Sequence, residues 1–203
     1  MNYLVSENKD LVQAESQPIY TVATQASVGD VTILDGIEVV CINVSPYIFV
    51  DKNHDLSYYC VGSDCVDSSD YEHSPGTYGY EWGGYGTETG ARGTAVGTGL
   101  NNTNQLISKN LQPDTSGWWV VWDKVEEFRQ SHSDKWFVPS KDELNLVYEN
   151  RLNLSNLSLN TGYYYWSSSE ISSNIAWIQY FDSGNRNASK YSHRFRVRLC
   201  CLL

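Results

Sequence analysis

Residues 163 to 199 read YYYWSSSEISSNIAWIQYFDSGNRNASKYSHRFRVRL, and two classes of position are interleaved along them. Trp166, Ser167, Ser168, Glu170, Ala176, Trp177, Gln179, Phe181, Gly184, Asn185, Lys190, Arg196, Val197 and Arg198 have the character of positions fixed by packing and turns. Between them lie Ile171, Ser172, Asn174, Ile175, Ile178, Tyr180, Asp182, Arg186, Ala188, Ser189, Tyr191, Ser192 and His193, which share no size, charge or polarity. Side chains alternate between faces along a strand. A strand over Ala176 to Phe181 therefore puts Trp177, Gln179 and Phe181 on a packed face and Ile178 and Tyr180 on the outer one. Asp182 to Asn185 supplies turn residues, with Gly184 free to take positive φ, and Arg194 to Leu199 is expected to return as the partner strand with Phe195, Val197 and Leu199 inward. The outer face then mixes Ile and Tyr with Asp, Arg and His, the blend a contact surface needs. The alternative, that Ile175, Ile178 and Tyr180 cover a second core layer, stays open.

Upstream, VGDVTILDGIEVVCINVS from Val28 reads as two strands around an Asp35-Gly36 turn. Pro46 breaks the second strand, YIFV (47 to 50) resumes, and LSYYCVG (56 to 62) is a further strand. Residues 63 to 100 are rich in Gly, Ser, Thr and Tyr and read as a folded irregular loop. A phosphate-cradling role fails there, since no Lys-Ser or Lys-Thr follows the glycines. Asn101 to Asn110 has helical spacing. Trp118, Val121, Trp122, Val125 and Phe128 follow the rhythm of an amphipathic helix lying on a sheet. Trp136 to Val138 is a short strand, and Ser140-Lys-Asp-Glu143 is a capping box for a helix carrying Leu144, Val147 and Tyr148. Residues 150 to 162 form a loop. Together these elements predict an α+β fold: a mixed, mostly antiparallel sheet, two to three helices and long structured loops. Residues 1 to 26 read as an N-terminal arm or linker and 27 to 203 as one domain.

Composition narrows the function classes. Net charge is −10 with pI near 4.7, and no basic run occurs, which argues against nucleic acid as a partner. No apolar stretch reaches the roughly 20 residues that span a bilayer, and the N-terminus lacks the regions of a secretory signal. Seven Trp and fifteen Tyr against one Met lean toward recognition, because these rings bring large area at low entropy cost. Of the five cysteines, Cys41, Cys200 and Cys201 sit in apolar runs and are expected as buried thiols. A disulfide between Cys60 and Cys65 stays open.

Catalytic constellations are lacking: no Gly-x-Ser-x-Gly, no His-Glu-x-x-His and no Cys/His pair. Scattered histidines and the lack of a Cys-x-x-Cys pair leave no metal site expected, and no cofactor. Calcium at the Asp-rich run Asp64 to Asp70 stays open as an alternative.

The runs YEWGGYGTETGARGTAVGTGLNNT (80 to 103), WFVPSKDELNLVYENR (136 to 151), YYWSSSE (164 to 170), AW.Q.F..GN (176 to 185) and RVR (196 to 198) resemble the variable proteins of diversity-generating retroelements. That resemblance, over about residues 27 to 200, implies a C-type lectin-like fold related to the formylglycine-generating enzyme. It also implies a reverse transcriptase that turns Asn-type AAY codons into NNY codons. The mixed positions from Ile171 to His193 fall where the variable sites would fall, within a variable region of about 163 to 198, and each is a type that an NNY codon encodes. Trp, Gln and Lys occur only among the interleaved fixed positions, as Trp177, Gln179 and Lys190. The implied function is a ligand-binding protein, not an enzyme, displayed on a virion or cell surface. Its partner would be a protein or glycan receptor, with a further virion or surface contact through the arm. Alternatives are a non-variable lectin-like adhesin or tail component and an oxidative enzyme of the related fold. For the last, only the adjacent Cys200 and Cys201 offer thiols, and neighbours in a strand point oppositely.

Overall fold

Asp35 and Gly36 both take positive φ and fold the chain into its first hairpin. The computed structural model describes residues 25–56, 79–114, 119–152, 154, 157–159, 162–191 and 193–203, with the backbone alone at 185, 186 and 189. β1 (Val31–Leu34) pairs antiparallel with β2 (Ile37–Val44), and β2 pairs with β3 (Tyr47–Asp51) across the Ser45-Pro46 turn. β4 (Tyr80–Glu81) and β5 (Trp136–Phe137) are short, and β6 (Tyr164–Ser172), β7 (Ile175–Tyr180) and β8 (Gly184–Ser189) follow in a meander. β9 (Arg194–Phe195) pairs with β4. The last strand, β10 (Cys200–Leu202), enters between β3 and β5, so the main sheet has the order β1-β2-β3-β10-β5.

Three helices lie among the described residues: α1 (Gly99–Ser108), α2 (Val121–Ser131) and α3 (Lys141–Asn150). In α2 the expected apolar stripe is buried at Val121, Trp122, Val125 and Phe128, because these positions share one face at the helical period. The start of α3 is a complete capping box. Ser140 Oγ accepts from the Glu143 amide, and the Glu143 carboxylate accepts from the Ser140 amide at 2.6 Å and from Gly97 at 2.8 Å. Burial pushes the Glu143 pKa up against the pull of these amide donors. Gly99 must be glycine, since a Cβ there would run into the Glu143 carboxylate and the Phe137 ring.

The main sheet is apolar on both faces. On one side Leu34, Cys41, Phe49 and Cys201 join Trp82, Trp122, Trp136 and Trp166. On the other Val40, Ile48, Val50 and Cys200 meet Leu144, Val147, Tyr165 and Phe181. Cys200 and Cys201 therefore belong to opposite cores, as strand alternation requires. Both, with Cys41, are free buried thiols, and burial raises the Cys200 pKa well above normal and that of Cys201 to about 12.

The fold is α+β with mostly antiparallel strands, and no described helix is long and apolar enough to cross a membrane. One pairing differs from expectation. The partner of β7 is β8, in register from Tyr180↔Gly184 to Ile175↔Ser189, and not the segment 194–199. Gly184, at φ 102°, opens β8 directly, so the turn residues serve the nearer strand. Residues 196–199 instead run beside 51–56, where the Val197 and Leu199 carbonyls accept from the Leu56 and Asp51 amides. Ala26 already packs against the larger core. Residues 1–24, most of the expected strand 56–62, Cys60, Cys65, the Asp64 to Asp70 run and Trp118 lie outside the described residues.

Candidate ligand-binding surface

β7 is the middle strand of the three-stranded sheet, so both its edges are paired. Toward α3 it presents Gln179, with Phe181 just beyond its end; both are fully buried, and the Phe181 ring meets Tyr165 at 4.9 Å and Tyr148 at 5.9 Å. Trp177, on the same face, is only half-buried, with the Lys141 ammonium 5.3 Å from its ring.

On the opposite face the expectation for Ile178 fails: it is 3% exposed and part of the larger core. Its register partner on β6 is Trp166, whose ring lies 4.7 Å from Phe195 and whose indole N–H donates to the Tyr80 carbonyl. A period of two states only that Ile178 opposes Trp177. That Trp166 and the remote β9 roof this side over is tertiary information. Of the two readings open for Ile178, the second core layer is the one found.

The other expected positions form a rim around that buried centre. Asn174, Asp182 and Tyr191 are exposed, and Ile171, Ser172, Ile175, Tyr180, Ala188 and His193 are half-buried, Ala188 leaning on the core. Arg186 and Ser189 stand opposite Ile178 and Ile175 in register; their side chains, and all of Ser192, lie outside the described residues.

An aromatic strip crosses this rim. Tyr180 stacks on Tyr164 at 4.4 Å with rings 23° apart, Tyr164 lies 5.2 Å from Phe195, and His193 lies 5.6 Å from Phe195. Burial, and then the neighbouring Asp182 carboxylate, raise the Tyr180 pKa. Sequence reasoning missed Tyr164, which is 37% exposed, and took Phe195 as an inward residue. Alternation from the fixed Trp166 does not find Tyr164, since both share a face; the signal is the cross-strand pairing of Tyr164 with Tyr180.

Beneath the rim the backbone is fixed by buried polar groups. The Glu170 carboxylate accepts from the Lys190 ammonium at 2.6 Å and from the Thr89 and Gly90 amides at 3.0 and 3.1 Å, and its own amide donates to Ala91. Burial alone would raise its pKa, but Lys190 and the amides outweigh it and hold the carboxyl below its ordinary range. Burial pulls the Lys190 ammonium below the usual lysine value, opposed by Glu170. Lys190 also lies 4.3 Å over the Trp82 ring and donates to the Thr87 carbonyl. The glycine-rich loop and the β6–β8 meander thus meet at the Glu170–Lys190 pair, to which the loop adds Arg92, its Nε 3.8 Å from the Glu170 carboxylate.

A second buried network ties the meander to the main sheet. Asp55 pairs with Arg196 at 2.7 Å and Arg198 at 2.9 Å and accepts from the Tyr165 hydroxyl; burial, then Asp55, push the Tyr165 pKa up to about 12. The buried carboxylates of Glu170 and Asp55 are each paired with buried cations, and the thiols of Cys200 and Cys201 are held protonated at neutral pH. What reaches solvent at the rim is aromatic edge, hydroxyl, amide, the Asp182 carboxylate and the His193 ring, a mixed set suited to contact. Among the described residues no group of three or more His, Cys, Asp or Glu is placed to hold a metal ion. No protein-family model matches the chain, and no curated protein matches it.

Proposed function

We propose that this chain is a ligand-binding protein of the retroelement-diversified kind, displaying a changeable surface on a C-type lectin-like scaffold at a virion or cell surface. The observation that carries the reading is the separation of the two classes of position. Of the fixed positions whose side chains are described, Trp166, Ser167, Ser168, Glu170, Ala176, Gln179, Phe181, Lys190, Arg196, Val197 and Arg198 are buried and Trp177 and Gly184 half-buried, whereas the mixed positions so described are exposed or half-buried, Ile178 excepted. Side chains that stay out of the core vary at small cost in stability. The contact set is therefore Ile171, Ser172, Asn174, Ile175, Tyr180, Asp182, Tyr191 and His193, with Arg186, Ala188, Ser189 and Ser192, and its receptor is a protein or glycan. Further support comes from the buried carboxylates Glu170 and Asp55, whose pairs with Lys190, Arg196 and Arg198 hold the meander without using any rim side chain.

The test is the flanking DNA. A near-copy of the region carrying AAY codons at the rim positions, beside a reverse-transcriptase gene, is the expected result; flanking DNA with neither overturns the diversification. At the protein level, exchanging Tyr180 or Asp182 should change ligand choice and leave the melting temperature nearly unmoved.

A further inference from the structure

We infer that Tyr85, which lies outside the region of mixed positions, is a constant, specificity-determining member of the contact surface, that Asn174 serves to position it, and that the partner is a protein. The inference rests on the reading above and adds to it a residue from the glycine-rich loop. Tyr85 is 46% exposed, and its ring meets that of Tyr191, itself 54% exposed, at 5.4 Å and 60°. The backbone on either side of it is held at successive positions. The Tyr85 amide donates to Asp114 Oδ1 at 3.2 Å, the Gly86 amide to the Ser173 carbonyl at 3.0 Å and to Asn174 Oδ1 at 3.1 Å, and the Thr87 amide to Gly84. Lys190 then holds the Thr87 carbonyl.

An exposed ring on a backbone fixed in this way loses little freedom on binding, which is what makes an aromatic anchor effective. The Asn174 side chain does not simply point at a ligand. Its amide oxygen is used on the loop that carries Tyr85, so changing Asn174 acts on the surface through that loop. A protein partner is favoured over a glycan by how the rings are already used. Tyr164 and Tyr180 stack on each other and Tyr85 meets Tyr191 edge-on. The facing rings of Tyr164 and Tyr180 are closed to the flat stacking a sugar uses, while Tyr85 and Tyr191 keep large exposed aromatic area for a protein epitope.

The test displays the full chain on phage, randomised at Ile175, Tyr180, Asp182 and His193. It selects in parallel on hen egg-white lysozyme and on dextran. Lysozyme-binding clones are expected, and in them Tyr85→Ala should weaken binding by about tenfold with melting temperature unchanged. Asn174→Ala should weaken it less, and Asn174→Asp, which keeps the acceptor oxygen, should restore it relative to alanine. Lysozyme clones indifferent to Tyr85→Ala within about twofold would overturn the role of Tyr85 and leave the binding reading intact. Clones for dextran alone would overturn the protein partner, and libraries yielding no binder to either would overturn the binding reading itself.

Discussion

The five-stranded sheet fills both of its faces with apolar side chains, Val40, Val50 and Cys200 on one and Cys41, Phe49 and Cys201 on the other. The three-stranded sheet, besides Trp166, Ala176 and Ile178, buries Ser167, Ser168, Ser169, Glu170 and Lys190 within and beside its strands. The first kind of interior stabilises by removing area from water, without direction. The second holds the backbone by directed bonds: Ser167 to the Trp177 carbonyl of β7, and Ser169 to Gly93 and Glu170 to Thr89 and Gly90 in the glycine-rich loop. A meander fixed from below by its own polar groups does not need its rim side chains for its shape, and that independence is what a changeable surface requires.

The contrast is broken most severely by uncovering a buried charge. Lys190→Met should cost about 3 to 5 kcal/mol in denaturant unfolding, because it removes the buried counterion of Glu170 and leaves only the half-exposed Arg92, at 3.8 Å. The double variant Lys190→Met with Glu170→Gln should recover part of that loss. The same carboxylate sets an acid limb. Its pKa is lowered in the folded state, so its contribution is present above the ordinary carboxylate range and is lost as pH falls through the folded value. Glu170→Gln should flatten that limb in a stability profile measured from neutral to acid pH. Next in size, Ile178→Ala should cost about 2 to 4 kcal/mol as a core truncation. A loss below about 0.5 kcal/mol, the surface level, would return Ile178 to the rim.

Gln179 is fully buried and neither polar atom of its side-chain amide has a hydrogen-bonding partner among the described residues. Gln179→Met should therefore raise stability, by about 1 kcal/mol, read as an increase in denaturation midpoint at unchanged slope. The smallest effects belong to the rim: Tyr191→Ala and Asp182→Ala should each stay within about 0.5 kcal/mol. Larger losses there would mean that the outward side chains help hold the scaffold.

Local signals were legible in the chain. Asp35-Gly36 marks its hairpin, Ser140 and Glu143 mark the start of α3, and the apolar rhythm from Val121 to Phe128 marks α2, because each depends on residues a few positions apart. The division between packed and outward positions in 163 to 199 was legible in part for the same reason, through alternation, with Ile178 buried and Trp177 only half-buried against expectation. The roof over Ile178 was not, since Trp166 and Phe195 come from different strands. Nor was the choice of β8 over 194–199, for which one turn sequence serves both. Glu170 and Lys190 each read as fixed, but their pairing requires the meander to be closed first. Tyr164 was overlooked because its partners, Tyr180 and Phe195, are known only from register and topology.

The position of β10 has a consequence for how the molecule is made. Its three residues fill a slot in the interior of the main sheet, between β3, which leaves the ribosome some 150 residues earlier, and β5. During synthesis the edge of β3 stays unpaired until residues 200 to 202 emerge, so closure of that sheet is a late event made across a long stretch of chain. A nascent chain stalled before Cys200 would expose that edge to other strands, and the cell would have to guard against its aggregation.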